Sequence, residues 1–535
     1  MRQILTFGVI LALMIFFAVL SVFVAERTDA LQLRAKFLPV TFTTRGEDLE
    51  LSWTALEYPC VYKVETLSRT TGLVANSPAY HVLTAAETVE PRIIVPRAAI
   101  QSFYRISARG LFGEVYSSER LAANPNFPTP PKPVPIFRYT AQNPASAMPF
   151  LVWHTVPNAV VYELELLSAP PEIEGGIELS KLYHLESTRK IFTNGCQVDL
   201  RPYLTTNNYQ LTTFYWRARA LGLHWEPIGE FCKAEPIFVD SSLPLPDAPL
   251  INDFDFITFA PLPIYPVYSW IPTCGAAKFE VELYDSANKM LWSKTTVDQS
   301  SCYDEYARPY AGIYYWHVRA LNEFDEPVSA WSSVGSFTVK NYRAGVDVAI
   351  FGDSISHGGG AVSYSPRSLE YSYATYLDFP AINLSRSGDT SHTALERFER
   401  DVLPFKPKNL IISTGANSLR DASFTAESII DDLARIETLC KKNNIRAIFL
   451  TLMPINPANI KYAFRTDTDP NWREKQRRVN EFIKRREFFI DIEPYFYDGS
   501  GTMNSKFSID GIHPDLRGKM LMAEIINRHK NLFRS

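Results

Sequence analysis

From about residue 36 to residue 340, apolar and polar positions alternate with a period of two, and the alternation comes in three similar copies. Trp53, Trp153 and Trp270 are each followed nine residues later by an aromatic: Tyr62, Tyr162 and Phe279. Each aromatic opens a short alternating run, such as Tyr162-Glu163-Leu164-Glu165. A second run closes each copy: Tyr104-Arg105-Ile106-Ser107-Ala108, Trp216-Arg217-Ala218-Arg219-Ala220 and Trp316-His317-Val318-Arg319-Ala320. Alternation with one aromatic face predicts half-buried strands that pack against a partner sheet. Beyond Val339 the pattern changes to strand alternating with helix, which predicts a parallel sheet. The strands are expected at Val346–Phe351, Ala381–Leu384, Asn409–Thr414, Arg446–Leu452 and Phe488–Ile492. The helices are expected at Thr393–Val402, Thr425–Asn443, Pro470–Arg486 and Pro514–His529.

Three units of about 100 residues, each with an early Trp and a late aromatic strand, point to β-sandwiches. They resemble fibronectin type III domains, at 36–123, 136–240 and 248–340, with the α/β domain following at 345–535. The joints are rich in proline, at Asn124–Pro135 and Leu243–Pro249, and such joints act as semi-rigid spacers. The repeated Trp residues are expected in the cores rather than as sugar platforms, and the sandwiches as a stalk for the last domain.

Composition narrows the class. With 46% hydrophobic and 21% charged residues and a formal net charge of −4, the chain is a folded globular protein, and nucleic acid is not an expected partner. Residues Ile4 to Ala25 carry no charge and are long enough to span a bilayer. A poor cleavage site favours an uncleaved signal anchor within residues 1–30 over a signal peptide, and places the rest outside the cytoplasm, periplasmic or at the cell surface. In an oxidising compartment Cys196 with Cys232, and Cys274 with Cys302, are disulfide candidates, since each pair falls within one repeat; Cys60 and Cys440 read as lone buried thiols. No zinc-type spacing occurs.

The chemistry is concentrated in the last domain. Gly352-Asp353-Ser354 follows the first strand and puts a hydroxyl at its carboxyl end, where ligands of open α/β sheets bind. Nucleophilic acyl transfer also needs a base, a group that orients the base, and donors for the oxyanion. Asp510 lies three residues before His513, so one tight turn brings carboxylate and imidazole into contact. Gly388 follows the second strand and Gly415-Ala416-Asn417 the third, which supplies a backbone and a side-chain amide for one oxygen.

Gly352-Asp353-Ser354, Gly388, Gly415-x-Asn417 and Asp510-x-x-His513, in this order, resemble the blocks of the SGNH, or GDSL, hydrolase family over residues 345–533. The resemblance implies a flavodoxin-like α/β/α sandwich and a metal-free, cofactor-free esterase. Ser354 would be the nucleophile, His513 the base and Asp510 its orienter. The Ser354 amide, Gly388 and Asn417 would form the oxyanion hole. Ser418 stands where the family usually has an aspartate, which leaves the support of Asn417 open. A GxSxG elbow is absent around Ser354, which argues against the α/β-hydrolase fold.

The expected reaction is removal of a short acyl group, acetyl first, from an acylated glycan. A lipase or thioesterase, an acyltransferase with the same triad, and a non-catalytic glycan-binding surface protein are the alternatives. Arg386, Arg420 and His357 are candidate substrate contacts, the arginines for an acidic sugar, and Arg367 also flanks the strand ends. Tyr364, Tyr371, Tyr373 and Tyr376 are expected in the core. Asp467 and Asp469 are expected to be solvated, and Pro454–Trp472 to form a wall of the cleft.

Overall fold

The computed structural model describes residues 36–533, apart from residues 39, 46–47, 57–59, 72–77, 97–101, 110–114, 119–120, 123–131, 157–158, 205–211, 253–261, 343–344 and 361–364. The expected anchor and Tyr364 lie outside the described residues. Among these residues no helix is long and apolar enough to cross a membrane.

The amino-terminal part consists of mainly antiparallel sheets in three pairs, with Lys36–Phe37 joining the first in parallel. In the second pair a three-stranded sheet through Phe150–His154 faces a four-stranded one, in which Val161–Leu167 lies between His184–Ile191 and Thr212–Leu221. The third pair repeats this order around Val267–Ile271 and Lys278–Tyr284. Side chains from both sheets meet in one core: Leu151 and Trp153 from one, Tyr162, Leu164 and Trp216 from the other. Trp53, Trp153, Trp270 and Trp316 are all buried, as core residues should be.

Alternation of burial is clean along Lys278–Tyr284 but fails along Val161–Leu167, where every residue is buried. The cause is local. Segment 172–180 folds over the outer face, where Glu165 accepts from the Ser180 amide while Arg217 donates to the carbonyls of Ile173, Gly175 and Glu178. Charges that would have been solvated are thereby buried, paired and fully hydrogen-bonded, the condition under which burial is tolerable.

The expected disulfides are not formed, and all six cysteines are free. Cys196 sits in the three-stranded sheet opposite Leu151, whereas Cys232 lies against Ala218 of the four-stranded sheet. Cys274 turns toward the second sandwich, its thiol donating to the Gln197 carbonyl, while Cys302 is buried in the third sandwich's core. Sharing a repeat does not bring these pairs together: the first is split between two sheets, and in the third sandwich Cys302 stands opposite Tyr268 while Cys274 lies beyond the end of that strand and faces the second sandwich.

The last domain contains β1 (Val346–Gly352), β2 (Ile382–Asn383), β3 (Pro407–Ser413), β4 (Arg446–Leu450) and β5 (Phe489–Ile490). They form a parallel sheet in the order β2-β1-β3-β4-β5, with the switch point between β1 and its two neighbours. Its helices are α1 (Ser354–His357), α2 (Ser391–Val402), α3 (Ala416–Arg420), α4 (Ala426–Lys442), α5 (Pro457–Phe464), α6 (Trp472–Lys484) and α7 (Leu516–Arg528). Thr425 caps α4, and Ile429, Leu433 and Ile436 bury its apolar face. One core lies on each side of the sheet, the first built on Ala349, Phe351, Phe398 and Ile429, the second on Val348, Ile350, Trp472 and Met522.

The sandwiches are not a detached stalk. Val160 and Leu223 of the second pack with Tyr371, Tyr462 and Ile509, and Ile264 and Tyr265 beside the third lie inside the first core of the α/β domain.

Candidate active site

β1 ends at Gly352, where a side chain has no room because an added Cβ would lie 2.1 Å from the Ser413 carbonyl oxygen. The next residue, Asp353, caps α1 by accepting from the Ile355 amide at 3.0 Å, and its second oxygen accepts from the Ala416 amide at 3.3 Å. One buried carboxylate therefore ties the loop after β1 to the loop after β3. Burial pushes the Asp353 carboxyl up to about 6, against the pull of those two amides.

Ser354 is the first residue of α1, and its Oγ lies 2.8 Å from His513 Nε2. His513 Nδ1 lies 2.8 Å from Asp510 Oδ2. The other carboxylate oxygen, Oδ1, accepts from the amides of Ile512 and His513 at 2.9 and 2.8 Å. Burial alone would raise the Asp510 pKa. The His513 charge, its ring hydrogen bond and the two amides outweigh burial and hold the carboxyl below its ordinary value. The His513 side chain keeps 19% of its surface, so its ring is reachable while the Asp510 carboxylate is sealed. Gly511, at φ +85°, makes the turn between them, and an added Cβ there would strike the Asn456 carbonyl at 2.5 Å.

Gly388, at φ +87°, and Asn417 line one cavity of about 570 Å³, together with Thr390, Arg420 and residues 466–470. The Asn417 side-chain amide donates to the Asp389 carbonyl at 2.9 Å, which orients it and leaves its second N–H. Ser418 donates no bond to Asn417; its hydroxyl accepts from the Ser391 amide and pins α2. Phe464 links cavity and base, with its ring edge-on to His513 at 5.9 Å and the Arg420 guanidinium 5.5 Å from its centroid.

The other candidates separate. Arg420 lines the cavity. Arg386 lies over the Tyr265 ring and Arg367 near Trp316, neither of them among the lining residues. His357 is not a substrate contact: it is 1% exposed, and both ring nitrogens are engaged inside the protein. Asp467 is exposed and pairs with Lys461, but Asp469 is buried against Lys475, because its loop folds back and donates the Asp469 amide to the Arg420 carbonyl. Tyr371 and Tyr373 are core residues as expected. The expected wall Pro454–Trp472 contains a helix, α5, which carries Phe464.

Two buried cations escaped the sequence reading. Arg397 of α2 ion-pairs with Asp389 and Asp401 and donates to the carbonyls of Leu384 and Gly352. Lys519 of α7 is fully buried and donates to the Ile355 carbonyl beneath the nucleophile turn. Arg397 and Asp401, four apart within the apolar face of Ala394, Phe398 and Val402, were the available signal. Among the described residues no cluster of His, Cys, Asp and Glu is placed to hold a metal ion.

Residues 350–521 match the model of the GDSL-like lipase/acylhydrolase family. No curated protein matches the chain. Solved structures with similarity include the lipase/acylhydrolase from Enterococcus faecalis, 22% identical, covering 35% of this chain and 95% of that one at a TM-score of 0.28. A GDSL-like lipase from Bacteroides thetaiotaomicron is 20% identical over 34% of this chain and 87% of its own, at a TM-score of 0.28. A catalytic mutant of an acetylxylan esterase from Geobacillus stearothermophilus is 20% identical over 35% and 96%, at 0.27. Residues 350–521, which hold Ser354, Asp510 and His513, form a domain that belongs to the GDSL-like lipase/acylhydrolase family.

Proposed function

We propose that the chain is a serine esterase that removes short acyl groups, acetyl in the first place, from a carbohydrate. The observation that carries this reading is the continuous path from Ser354 Oγ through His513 to the buried, doubly amide-bound Asp510. His513 Nε2 accepts the Ser354 proton as Oγ attacks the ester carbonyl, and Asp510 stabilises the imidazolium that results. The amides of Ser354 and Gly388 and the free N–H of Asn417 donate to the oxyanion. His513 then returns the proton to the departing alcohol, and water releases the acyl group by the same route.

A short acyl group and a sugar alcohol suit a cavity of about 570 Å³ with threonine, asparagine and arginine in its lining. The apolar segment Ile4–Ala25 supports an exported, membrane-anchored protein.

The test is the initial rate on p-nitrophenyl acetate, butyrate and octanoate, with the chain from residue 31 and its Ser354→Ala variant. Acetate-preferring activity lost in the variant is expected. Preference for octanoate would move the substrate to lipid or thioester, and equal rates in both proteins would end the esterase reading.

A further inference from the structure

β2 is the edge strand of the parallel sheet, yet its edge is not free. Pro263 pairs with Asn383 in parallel, and the Ile264 amide donates to the Asn383 carbonyl at 3.0 Å. The segment is held to the third sandwich from the other side, where Arg308 donates its amide to the Ile264 carbonyl and Asp304 to that of Pro266. Ile264 and Tyr265 are buried among Leu384, Leu395 and Phe398. The Tyr265 hydroxyl donates to Asp401, and Arg386 and Arg397 lie against its ring. This strap therefore belongs to both domains.

From the strap a path of direct contacts runs to the site. The Tyr265 carbonyl lies 2.8 Å from His357 Nε2. The Ser387 amide donates to His357 Nδ1 at 3.1 Å. A ring nitrogen that accepts from an amide carries no proton, so the proton sits on Nε2 and is donated to Tyr265. His357 ends the helix that Ser354 begins, and Ser387 precedes Gly388. Asn383, on the strand that the strap pairs with, donates its side-chain amide to the carbonyls of Ser356 and His357. Burial holds the imidazole neutral, with its pKa pushed down to about 4.

We propose that His357 is a positioning residue and that the third sandwich, through Pro263–Tyr265, is a working part of the catalytic unit, setting the Gly388 amide at a fixed place relative to Ser354. The inference rests on the esterase reading for its kinetic consequence, but its structural content does not. An oxyanion donor is effective only where it meets the developing charge, so loosening the loop should cost turnover more than binding.

The experiment uses the chain from residue 31 with His357→Leu and His357→Gln, counting active sites with a fluorophosphonate. Per titrated site, His357→Leu is expected to lower kcat on p-nitrophenyl acetate by roughly 10- to 100-fold with KM within about threefold. His357→Gln, whose amide can still donate to Tyr265, should recover part of that loss. An unchanged kcat, or a loss confined to KM, overturns the proposal. Amide hydrogen exchange gives a readout without turnover: in His357→Leu the amides of 264–265 and 385–389 should exchange faster together. Loss of protection in one segment without the other overturns it as well. Inactive wild type would defeat the esterase reading alone, and exchange would still decide the strap.

Discussion

Two serine–histidine pairs flank the nucleophile turn, and they are nearly the same in distance. Ser354 Oγ lies 2.8 Å from His513, and Ser387 Oγ lies 2.7 Å from His357. They differ in what holds the far side of each ring. His513 faces the Asp510 carboxylate, which bears a full negative charge; His357 faces the Tyr265 carbonyl, which bears only a partial one. They differ also in water: the His513 side chain is 19% exposed, whereas His357 is 1% exposed. On the proposed esterase reading, the first ring gains and loses a proton, whereas the second keeps one tautomer. A serine beside a histidine is therefore not a catalytic pair until its third partner and its access are known.

The sharpest way to break this contrast is to make the first pair resemble the second. Asp510→Asn keeps the shape but replaces the charged acceptor with a neutral amide, and kcat is expected to fall about 10⁴-fold, with far-ultraviolet circular dichroism unchanged. A loss smaller than tenfold would mean that Asp510 does not orient the base.

Next in size is Arg397→Met. Arg397 braces both the loop that carries Ser387 and the end of β1, and its removal leaves Asp389 and Asp401 short of their buried partner. Breaking a buried network from one side costs about 3–5 kcal/mol, to be read as a lower urea midpoint. The value should exceed that of any exposed arginine, such as Arg477.

Lys519→Met tests the ground under both pairs, since Lys519 donates to the carbonyl of Ile355 in the helix that carries Ser354 and His357. Burial lowers its pKa to about 7, far below a free lysine. Between that value and the unfolded one, the unfolded chain binds the extra proton, so stability rises with pH across roughly pH 7–10, by at most ~1.4 kcal/mol per unit. Below pH 7 both states are protonated and the slope vanishes. Urea midpoints at pH 7.5, 8.5 and 9.5 should climb more steeply in the wild type than in Lys519→Met; parallel curves would refute the shift.

How much of this was legible follows from the range of each interaction. The strands and helices of the last domain were readable to within a few residues because apolar runs and caps such as Thr425 are local signals. The Asp510–His513 contact was readable too, since a spacing of three leaves one turn to close. Tyr265 and His357 lie 92 residues apart, and nothing in either neighbourhood announces the other. The burial of Arg397 and Lys519 was not read, because tertiary packing covers such residues; Arg397 left one local trace, its spacing with Asp401 on an apolar face. The disulfide expectation failed for the same reason, since membership of one repeat says nothing of which neighbour a cysteine faces.

The smallest expected effect concerns recognition, and it contrasts the arginines as the opening contrast treated the histidines. Arg420 lines the cavity and donates to Thr466, whereas Arg386 lies over Tyr265 outside that lining. If the natural sugar is acidic, a charge-assisted contact to Arg420 is worth about 1.5–3 kcal/mol at most. Solvent in an open cleft should cut that to a KM change of roughly tenfold. Arg420→Ala should therefore raise KM for an acetylated uronic acid about tenfold and leave a neutral acetylated sugar within about twofold. Arg386→Ala should not discriminate between the two substrates, because its guanidinium serves the strap. Equal effects of Arg420→Ala on both substrates would make Arg420 a prop for Phe464 and, through that ring, for His513.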